Sequence, residues 1–342
     1  MTLRLALLTV EPEGPSARHR WLGIAPILAE AGLALEVVRL PREGGDRPEA
    51  FARAAAASLV VLQRRLLRHG DFRRLREAAA RLAFDFDDAV TYRDPWRGDP
   101  HSTVRANRFV RTVSGADAVI AGSEALADLA RPCGPRALFV APTPVDAAAY
   151  GPAPGPRAPG EPVRFGWIGS RATLPYLGGI AGPLRAACAA VPGARLLVVA
   201  DRPPGDLPGV PVEFEAWTEQ GEAEALRRMD LGLMPLTDDP FSRGKCGFKV
   251  LQYAATGIPS VASPVGANLA LVEPGRTGFL PATPAAWEEA LVRLARDPGE
   301  RARLGAAARG QAERRWSTAV LGPPLARFLR HAAEAAPRAG AS

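Results

Sequence analysis

Two lysines stand four residues apart in the stretch "GKCGFKVLQYAATG", residues 244–257. They are Lys245 and Lys249, and every other side chain among the 43 lysines and arginines is an arginine. The stretch predicts a helix that ends at Gly257 and follows a loop carrying Arg243 and Lys245. If both lysines are helical, they share one face, where the helix N-terminus and the ammonium groups favour a phosphate. The alternative is a pair of lysines on a solvated helix face.

Two more glycine-containing turns follow predicted strands and suit the same chemistry. In "GWIGSRAT", Gly169 and Ser170 allow the backbone to come close to a diphosphate, and Arg171 and Thr173 are available as donors. "SPVGAN", residues 263–268, forms a similar turn. One such turn occurs in any α/β protein, but three at one edge of a sheet favour a diphosphate site.

The first half of the chain offers a basic turn after its first strand. In "PEGPSARHRW", Arg18, His19 and Arg20 are expected to point from this loop into a cleft. They would bind an acceptor or a phosphate there. A solvated basic turn is the alternative.

An acidic strand end lies further along, in "FDFDDAV". Asp85, Asp87 and Asp88 end a predicted strand, and Asp87 or Asp88 could orient or deprotonate a hydroxyl group. Aspartate is also an ordinary helix N-cap, which is the competing interpretation.

Elements that would position these residues alternate along the 342-residue chain. Apolar runs typical of buried strands are separated by amphipathic helical patterns, which is the rhythm of a doubly wound parallel sheet. These runs are "LRLALLTV", "ALEVVRL", "SLVVLQ", "LAFDFDD", "DAVIAG", "ALFVAP", "VRFGWIG", "ARLLVVAD", "VEFEAW", "DLGLMPL" and "IPSVAS". The sequence therefore predicts an α/β fold with two Rossmann-like lobes facing across a cleft.

Domain boundaries follow from the proline- and glycine-rich stretch "GPAPGPRAPGEP", which cannot hold a helix or a central strand. We predict an acceptor-side lobe, a linker, a donor lobe and a final helix that crosses back to the first lobe. The respective ranges are 1–150, 151–162, 163–317 and 318–336.

Composition limits the function classes. The formal charge is +7, but no basic stripe interleaved with aromatic residues is present, so no nucleic-acid partner is expected. The three cysteines have no CxxC spacing, so the sequence indicates neither a disulfide framework nor a zinc site. No stretch approaches about 18 apolar residues. These features favour a cytoplasmic protein of bacterial type.

The arginine-rich stretch 64–82 is partly amphipathic. It could lie on an anionic membrane surface, which would make the protein peripheral at the inner face of the membrane. The alternative is a solvated helix.

The turns, together with "DLGLMPLTDDPFSRGKCGFKVLQYAATGIPSVASPVGANLALVEPGRTGFL" and "APTPVDAAAYGP", resemble the retaining GT-B glycosyltransferases of the group 1 family. The resemblance covers most of the chain and is strongest over residues 163–282. It implies two Rossmann-like lobes, a nucleotide-sugar donor bound by the second lobe, no obligatory metal and no cofactor.

The resemblance also assigns residues. The donor diphosphate and sugar would contact Gly169, Ser170, Arg171, Thr173, Arg243, Lys245, Lys249, Gln252, Gly266, Ala267 and Asn268. The mechanism that it implies uses Lys245 and Lys249. The strand ends of the first half, described above, add Asp87, Asp88 and His19 as catalytic candidates, with Arg18 and Arg20 on the acceptor side.

Two departures from the family pattern concern its pair of glutamates. Gln252 stands where many members carry the glutamate that binds the donor ribose, and Gly244 stands where the other glutamate would be. In addition, Tyr176 occupies the place of a lysine that usually follows an arginine.

The implied function is metal-independent transfer of a sugar, with retention, to a hydroxyl group of a glycan, a lipid-linked acceptor or a small molecule. Two alternatives come from other classes. A catalytically silent GT-B protein that binds a nucleotide sugar or a partner would explain the missing glutamates. A nicotinamide dehydrogenase would share the Rossmann-like lobes, but no GxGxxG follows the first strand.

Overall fold

The computed structural model describes residues 2–42, 46–94, 96, 98–152 and 161–336. Within them the chain forms two compact units. The first comprises residues 2–144, 239–246 and 318–336, and the second comprises residues 145–238 and 247–317. Of the predicted linker, residues 153–160 lie outside the described residues.

A parallel sheet of six strands lies at the centre of the first unit, counted over the described residues. Its strand order is β2-β1-β3-β4-β5-β6. The strands are β1 (Leu3–Thr9), β2 (Leu33–Arg39), β3 (Leu59–Gln63), β4 (Leu82–Phe86), β5 (Ala118–Ala121) and β6 (Leu138–Val140).

The second unit is also built on a parallel sheet, of six strands within the described part of the chain. Its order is β12-β11-β10-β7-β8-β9. The strands are β7 (Arg164–Ile168), β8 (Arg195–Ala200), β9 (Val212–Ala216), β10 (Leu231–Met234), β11 (Ser260–Ala262) and β12 (Gly278–Phe279). The predicted α/β fold class with two doubly wound parallel sheets is confirmed.

Helices connect the strands in both units. In chain order they are α1 (Pro15–Arg20), α2 (Ala25–Glu30), α3 (Arg47–Ala55), α4 (His69–Ala78), α5 (Thr103–Gly115), α6 (Glu124–Ala130), α7 (Ala147–Tyr150), α8 (Ala181–Ala190), α9 (Glu222–Arg227), α10 (Pro240–Arg243), α11 (Phe248–Thr256), α12 (Asn268–Leu271), α13 (Pro284–Arg296), α14 (Pro298–Arg315) and α15 (Thr318–Glu334). Short 3₁₀ segments include Leu22–Ile24, Arg131–Cys133 and Leu174–Ile180.

Apolar runs form strands because both faces of each central strand are covered. In β1, Leu5 and Leu7 pack into one hydrophobic cluster, whereas Ala6 and Leu8 pack into another on the opposite face. Successive side chains of a strand point to opposite faces, so a strand covered on both faces has to be apolar throughout. Helix α15 belongs to the first unit because its buried residues join the cluster that contains Leu5 and Leu7.

The strand orders locate the ligand edge of each sheet by topology. In the first sheet the order switches direction between β1 and β3, and in the second sheet it switches between β7 and β10. Ligands of doubly wound folds bind beyond the carboxyl ends of the strands at such a switch point. The loops after β1, β3, β7 and β10 are therefore the candidate ligand loops.

Three local predictions are corrected. The basic turn after β1 is the helix Pro15–Arg20 rather than a loop. Residues 64–68 precede α4 and are not helical. Lys245 lies before α11, which begins at Phe248, so the two lysines do not share a helix face.

The helices of the described residues are too short or too polar to cross a membrane. None of them combines the length and the apolar character that a membrane span requires.

Candidate functional site

The turn after β7 is held mainly by its own backbone. The Ser170 carbonyl accepts hydrogen bonds from the backbone N–H groups of Thr173 at 2.8 Å and Leu174 at 3.1 Å. The N–H of Gly169 donates to the Val199 carbonyl at 3.0 Å. Because these groups are engaged inside the unit, a bound anion would depend on side chains that reach this turn.

Lys249 is the cation beside this turn. Its Nζ atom lies 3.3 Å from Thr173 Oγ1 and 4.6 Å from the centre of the Trp167 ring. The residue belongs to the first turn of α11, and the N-terminal end of a helix carries partial positive charge from the aligned backbone dipoles. Ammonium group and helix end have the same sign, so this place favours an anion.

Gly169 makes that arrangement possible. A Cβ atom at this position would lie 2.5 Å from Trp167 Cη2 and 2.9 Å from Lys249 Cε. Side-chain atoms do not approach each other that closely, so Trp167 and Lys249 could not keep their places. The structure therefore brings together Gly169, Thr173 and Lys249 of the predicted donor residues.

Arg171 is directed differently from the rest of the turn. Its backbone N–H donates to Asp201 Oδ1 at 2.6 Å, and its side chain is 74% exposed. The guanidinium is 3.8 Å from Asp201 Oδ2. Arg171 is thus a solvent-facing cation with a nearby carboxylate.

The residues of the "SPVGAN" turn differ in burial. Gly266 has a φ of 56°, a conformation that favours glycine, and Ala267 caps the short helix α12. Asn268 is buried, and its Nδ2 donates to the Ser263 carbonyl at 3.0 Å. Asn268 therefore holds its own loop, although its buried Oδ1 has no hydrogen-bond partner among the described residues.

Gln252 is buried in α11, and its Nε2 donates to the hydroxyl of Tyr150 at 3.1 Å. Tyr150 in turn donates to Glu222 Oε1 at 2.9 Å. The predicted donor-binding amide is thus part of a chain of side chains from three helices.

In the first unit, the Arg64 side chain contacts both aspartates that follow β4. It donates to Ser16 Oγ at 2.6 Å, it forms a short ion pair with Asp88, and its Nε lies 3.3 Å from Asp87 Oδ1. Ser16 donates to Asp87 Oδ2 at 2.6 Å. Neither aspartate begins a helix. The two carboxylates therefore position cations and a hydroxyl rather than cap a helix.

Lys245 joins this first-unit cluster. Its Nζ lies 2.9 Å from Asp88 Oδ1 and 4.3 Å from the centre of the Phe241 ring. Arg243, two residues earlier, ends α10 and is exposed. Of the predicted catalytic residues, Asp87, Asp88 and Lys245 lie together in the first unit.

The backbone of Arg64, which contacts both aspartates and Ser16 in this cluster, is strained. Arg64 has a φ of 58°, and it is the one non-glycine residue with a positive φ among those described. Such a backbone is disfavoured for a side chain that carries a Cβ, and it persists only where surrounding contacts determine it. Sequence reasoning missed Arg64 and Ser16, because neither a positive φ nor a contact between distant loops has a local sequence signal.

The predicted acceptor-side arginines differ from each other. Arg20 is fully buried and pairs with Asp85 at 2.7 Å, so the prediction that it points into a cleft is wrong. Burial alone would lower the pKa of the Arg20 guanidinium, but the charge of Asp85 raises it above the ordinary value. Trp21 donates to the other Asp85 oxygen at 2.8 Å.

Arg18 and His19 are half-buried and touch each other. An Arg18 Nη2 atom lies 2.8 Å from His19 Nε2. Arginine can only donate, so this contact requires His19 Nε2 to accept and its proton to be on Nδ1. His19 is thereby set as a neutral imidazole when the contact is made.

Carboxylates, imidazoles and thiols are not clustered for metal binding in the described part of the chain. No group of three or more His, Cys, Asp and Glu side chains there is arranged to hold a metal ion.

Sequence comparison assigns the segment that contains Lys249 and Gln252. Residues 179–297 match the family model described as glycosyl transferases group 1. The chain carries a group 1 glycosyltransferase domain. It is therefore a glycosyltransferase, as the resemblance predicted. The group 1 domain begins after the turn that contains Gly169, and no curated protein sequence matches the chain.

Solved structures similar to this glycosyltransferase share its whole fold. HepE of Anabaena, in complex with UDP and glucose, has a TM-score of 0.70 at 17% identity, over 96% of this chain and 99% of that one. Sucrose-phosphate synthase of Thermosynechococcus elongatus has a TM-score of 0.74 at 18% identity, over 96% and 98%. The lipopolysaccharide outer core galactosyltransferase WaaB has a TM-score of 0.64 at 12% identity, over 96% and 100%. The predicted GT-B fold is confirmed by these similarities.

Proposed function

We propose that this glycosyltransferase moves a sugar from a nucleoside diphosphate sugar to a hydroxyl group of a glycan, a lipid-linked acceptor or a small molecule. The observation that carries the proposal is the ammonium group of Lys249 beside the turn after β7, at the switch point of the second sheet. A diphosphate is the anion proposed for this cation, because the proposed sugar transfer uses a nucleoside diphosphate sugar as its donor.

The second unit would hold the donor. Gly169 leaves room for the side chains of Trp167 and Lys249, and Lys249 and the end of α11 supply positive charge. Departure of a nucleoside diphosphate builds negative charge on its phosphate, so fixed cations stabilise the transition state more than the ground state. In this proposal Lys249, assisted by the exposed Arg171, offsets the charge that a metal ion would otherwise offset.

The first unit would hold the acceptor. Arg64 contacts Asp87, Asp88 and Ser16, and Asp88 also pairs with Lys245, which fixes two carboxylates and two cations at the carboxyl end of the first sheet. An acceptor hydroxyl needs an oriented hydrogen-bond acceptor as its proton leaves. Asp87 and the neutral His19 are the proposed candidates for that task. We propose attack on the same face of the sugar as the departing phosphate, with retention.

The similar structures support the donor class. HepE was crystallised with UDP and glucose and also with UDP-glucose, and WaaB is a galactosyltransferase. The proposal takes UDP-sugars as the first donors to test.

The testing experiment measures the melting temperature of the pure protein with UDP-, GDP-, dTDP- and ADP-sugars. A ligand that binds only the folded state raises the melting temperature, so one nucleotide sugar should stand out. The shift should be lost in Lys249→Ala and kept in Arg276→Ala, which removes an exposed arginine of the same unit.

Turnover separates the proposal from its rival. A donor that stabilises the protein and is hydrolysed or transferred supports the enzyme. A donor that stabilises the protein but is never consumed, with any acceptor tried, favours the catalytically silent binder. No shift with any donor would overturn the donor site.

A lipid-linked acceptor would require the enzyme to contact a membrane surface. The apolar residues of α4, Phe72 and Leu75, are buried in the first unit, so this helix cannot insert them into lipid. Its exposed Arg73 and Arg74 remain for an anionic surface. We propose a cytoplasmic enzyme with peripheral contact of this kind, which predicts co-sedimentation with vesicles containing phosphatidylglycerol and none with neutral vesicles.

A further inference from the structure

A buried chain of polar side chains surrounds Gln252 in the second unit. Gln252 Nε2 donates to the Tyr150 hydroxyl at 3.1 Å, and this hydroxyl donates to Glu222 Oε1 at 2.9 Å. Trp217 Nε1 donates to the other carboxylate oxygen, Oε2, at 2.9 Å. Gln252, Tyr150 and Glu222 are 4%, 5% and 7% exposed, so the chain is shielded from water and its members depend on one another.

The indole of Trp217 and the carboxylate of Glu222 fix the direction of every hydrogen bond in this row of side chains. An indole N–H only donates, and a carboxylate only accepts. Tyr150 has a single proton and gives it to Glu222, so its oxygen can only accept from residue 252. The amide of Gln252 therefore turns Nε2 towards Tyr150 and leaves Oε1 on the opposite side.

A glutamate at position 252 would break this order. Two carboxylates would compete for the one Tyr150 proton, and the loser would be a buried charge without a donor at this hydroxyl. Gln252 therefore fits beside a carboxylate at position 222, because its amide supplies the N–H donor that a glutamate would lack. The nearest carboxylate in this network is that of Glu222, two hydrogen bonds away from Gln252.

We propose that Tyr150 and Glu222 are positioning residues for donor binding: they orient the Gln252 amide so that Oε1 accepts a hydrogen bond from a hydroxyl group of the nucleotide sugar. This inference rests on the proposed function for its ligand. It adds two residues, from α7 and α9, that no sequence motif assigns.

The test exchanges the two side chains. In Gln252→Glu alone, the single hydroxyl proton of Tyr150 faces two carboxylates, one at position 222 and one at position 252. The melting temperature of this variant should therefore fall. In the exchange Glu222→Gln with Gln252→Glu, the indole donates to the amide oxygen introduced at position 222. The amide nitrogen of that side chain donates to Tyr150, and Tyr150 donates to the carboxylate introduced at position 252. Every buried group regains a partner, so the exchange should recover most of the melting temperature.

Nucleotide binding gives the second readout. UDP, GDP and ADP are tested first by melting temperature, and the best of them is titrated against each variant. Glu222→Gln should turn the amide of Gln252 around, because Tyr150 then donates to Gln252 Oε1. The Kd should rise about tenfold, as expected when one hydrogen bond to the nucleotide is lost, and the exchange should restore it because residue 252 again presents an acceptor.

A matched control shows whether the recovery is specific. Gln311 is another buried glutamine of the same unit, and its Nε2 donates to Glu273 at 2.7 Å. Combining Glu222→Gln with Gln311→Glu should give additive losses of melting temperature, because these residues share no hydrogen bond.

The outcomes distinguish failure of the positioning role of Tyr150 and Glu222 from failure of the proposed donor binding. Additive losses for Glu222→Gln and Gln252→Glu would overturn the inference, even if the nucleotide binds well. A recovered melting temperature without nucleotide binding in any variant would retain the buried chain but refute its role in binding a donor. Recovery of both properties by the exchange supports the proposal.

Discussion

The Nζ atom of Lys249 lies 4.6 Å from the centre of the Trp167 ring. The lysine comes from the start of α11 and the indole from β7, so a helix and a neighbouring strand fix one cation between them. Cation–π contact holds the ammonium group without neutralising it. In the proposed function this ammonium group lies beside the donor diphosphate.

Substitution of Lys249 should weaken binding of the donor. We expect Lys249→Ala to raise the Kd for UDP about tenfold or more, the size of a lost charge-assisted hydrogen bond. Lys249→Arg should recover only part, because a planar guanidinium does not fit the place of a compact ammonium between Trp167 and Thr173. Titration calorimetry measures both. Unchanged Kd values in both variants would show that the diphosphate is bound elsewhere.

A methyl group at Gly169 should disrupt the same place. Gly169→Ala forces Trp167 and Lys249 apart, so we expect a lower melting temperature and weaker UDP binding. Gly178→Ala is the control, because a Cβ there meets no atom within 4 Å. Equal behaviour of the two variants would contradict the steric explanation.

Gly244 should resist the residue that the family pattern has at its position. A Cβ there would lie 2.4 Å from Ala89 Cβ and 3.0 Å from both the Ala89 nitrogen and Leu126 Cδ2. We expect Gly244→Ala to cost about 1–3 kcal/mol of unfolding free energy, as overpacking does, and Gly244→Glu to cost more. Urea denaturation measures this. Gly70→Ala, with open space around its Cβ, is the control and should not destabilise the protein.

Arg64 allows strain and ion pairing to be separated. Arg64→Ala loses the contacts to Asp87, Asp88 and Ser16 but keeps the unfavourable φ of 58°. Arg64→Gly loses the same contacts and relieves the backbone. We expect Arg64→Gly to be more stable than Arg64→Ala by about 1–2 kcal/mol, the cost of the left-handed region. Less activity than wild type in both variants would show that the contacts matter; the reverse order of stability would refute the strain.

Cys246 should be an unreactive thiol in the folded protein. Burial raises the pKa of this thiol, and the charge of Asp87 raises it further. At neutral pH the nucleophilic thiolate is therefore scarce. We expect the variant with Cys133→Ser and Cys188→Ser, which leaves Cys246 as the only thiol, to react with a chromogenic disulfide much more slowly than its urea-unfolded form. Equal rates would show an accessible thiolate.

Much of the architecture was predictable because it depends on local pattern. Eleven runs were predicted as strands, and each overlaps one of β1 to β11. The central strands stood out because strands covered on both faces must be apolar throughout, whereas the edge strand β9 is largely exposed. β12 was missed, because Gly278 and Phe279 are too short a run to stand out. Helix α11 and its end at Gly257 were predicted from helical spacing and from the glycine itself, which has a φ of 75° in the structure.

The site was predictable only in part. Residue type and position after a strand pointed to Gly169, Thr173 and Lys249, which the fold brings together. The same reasoning could not tell buried Arg20 from half-buried Arg18, because both lie in one basic segment and only packing around Asp85 separates them. Nor could it detect the contact of Gln252 with Tyr150, which lies 102 residues away along the chain.

Residue order alone was enough for the two parallel sheets, the family resemblance and the cations that a diphosphate would need, because each of these depends on periodicity or on a short contiguous motif. The tertiary structure decided that Asp88 binds Lys245, that Arg64 is held in a strained conformation, and that the Tyr150 hydroxyl lies between Gln252 and Glu222. These are contacts between distant segments. Their energies depend on distance, burial and the direction of each hydrogen bond, and those quantities exist only once the chain has folded.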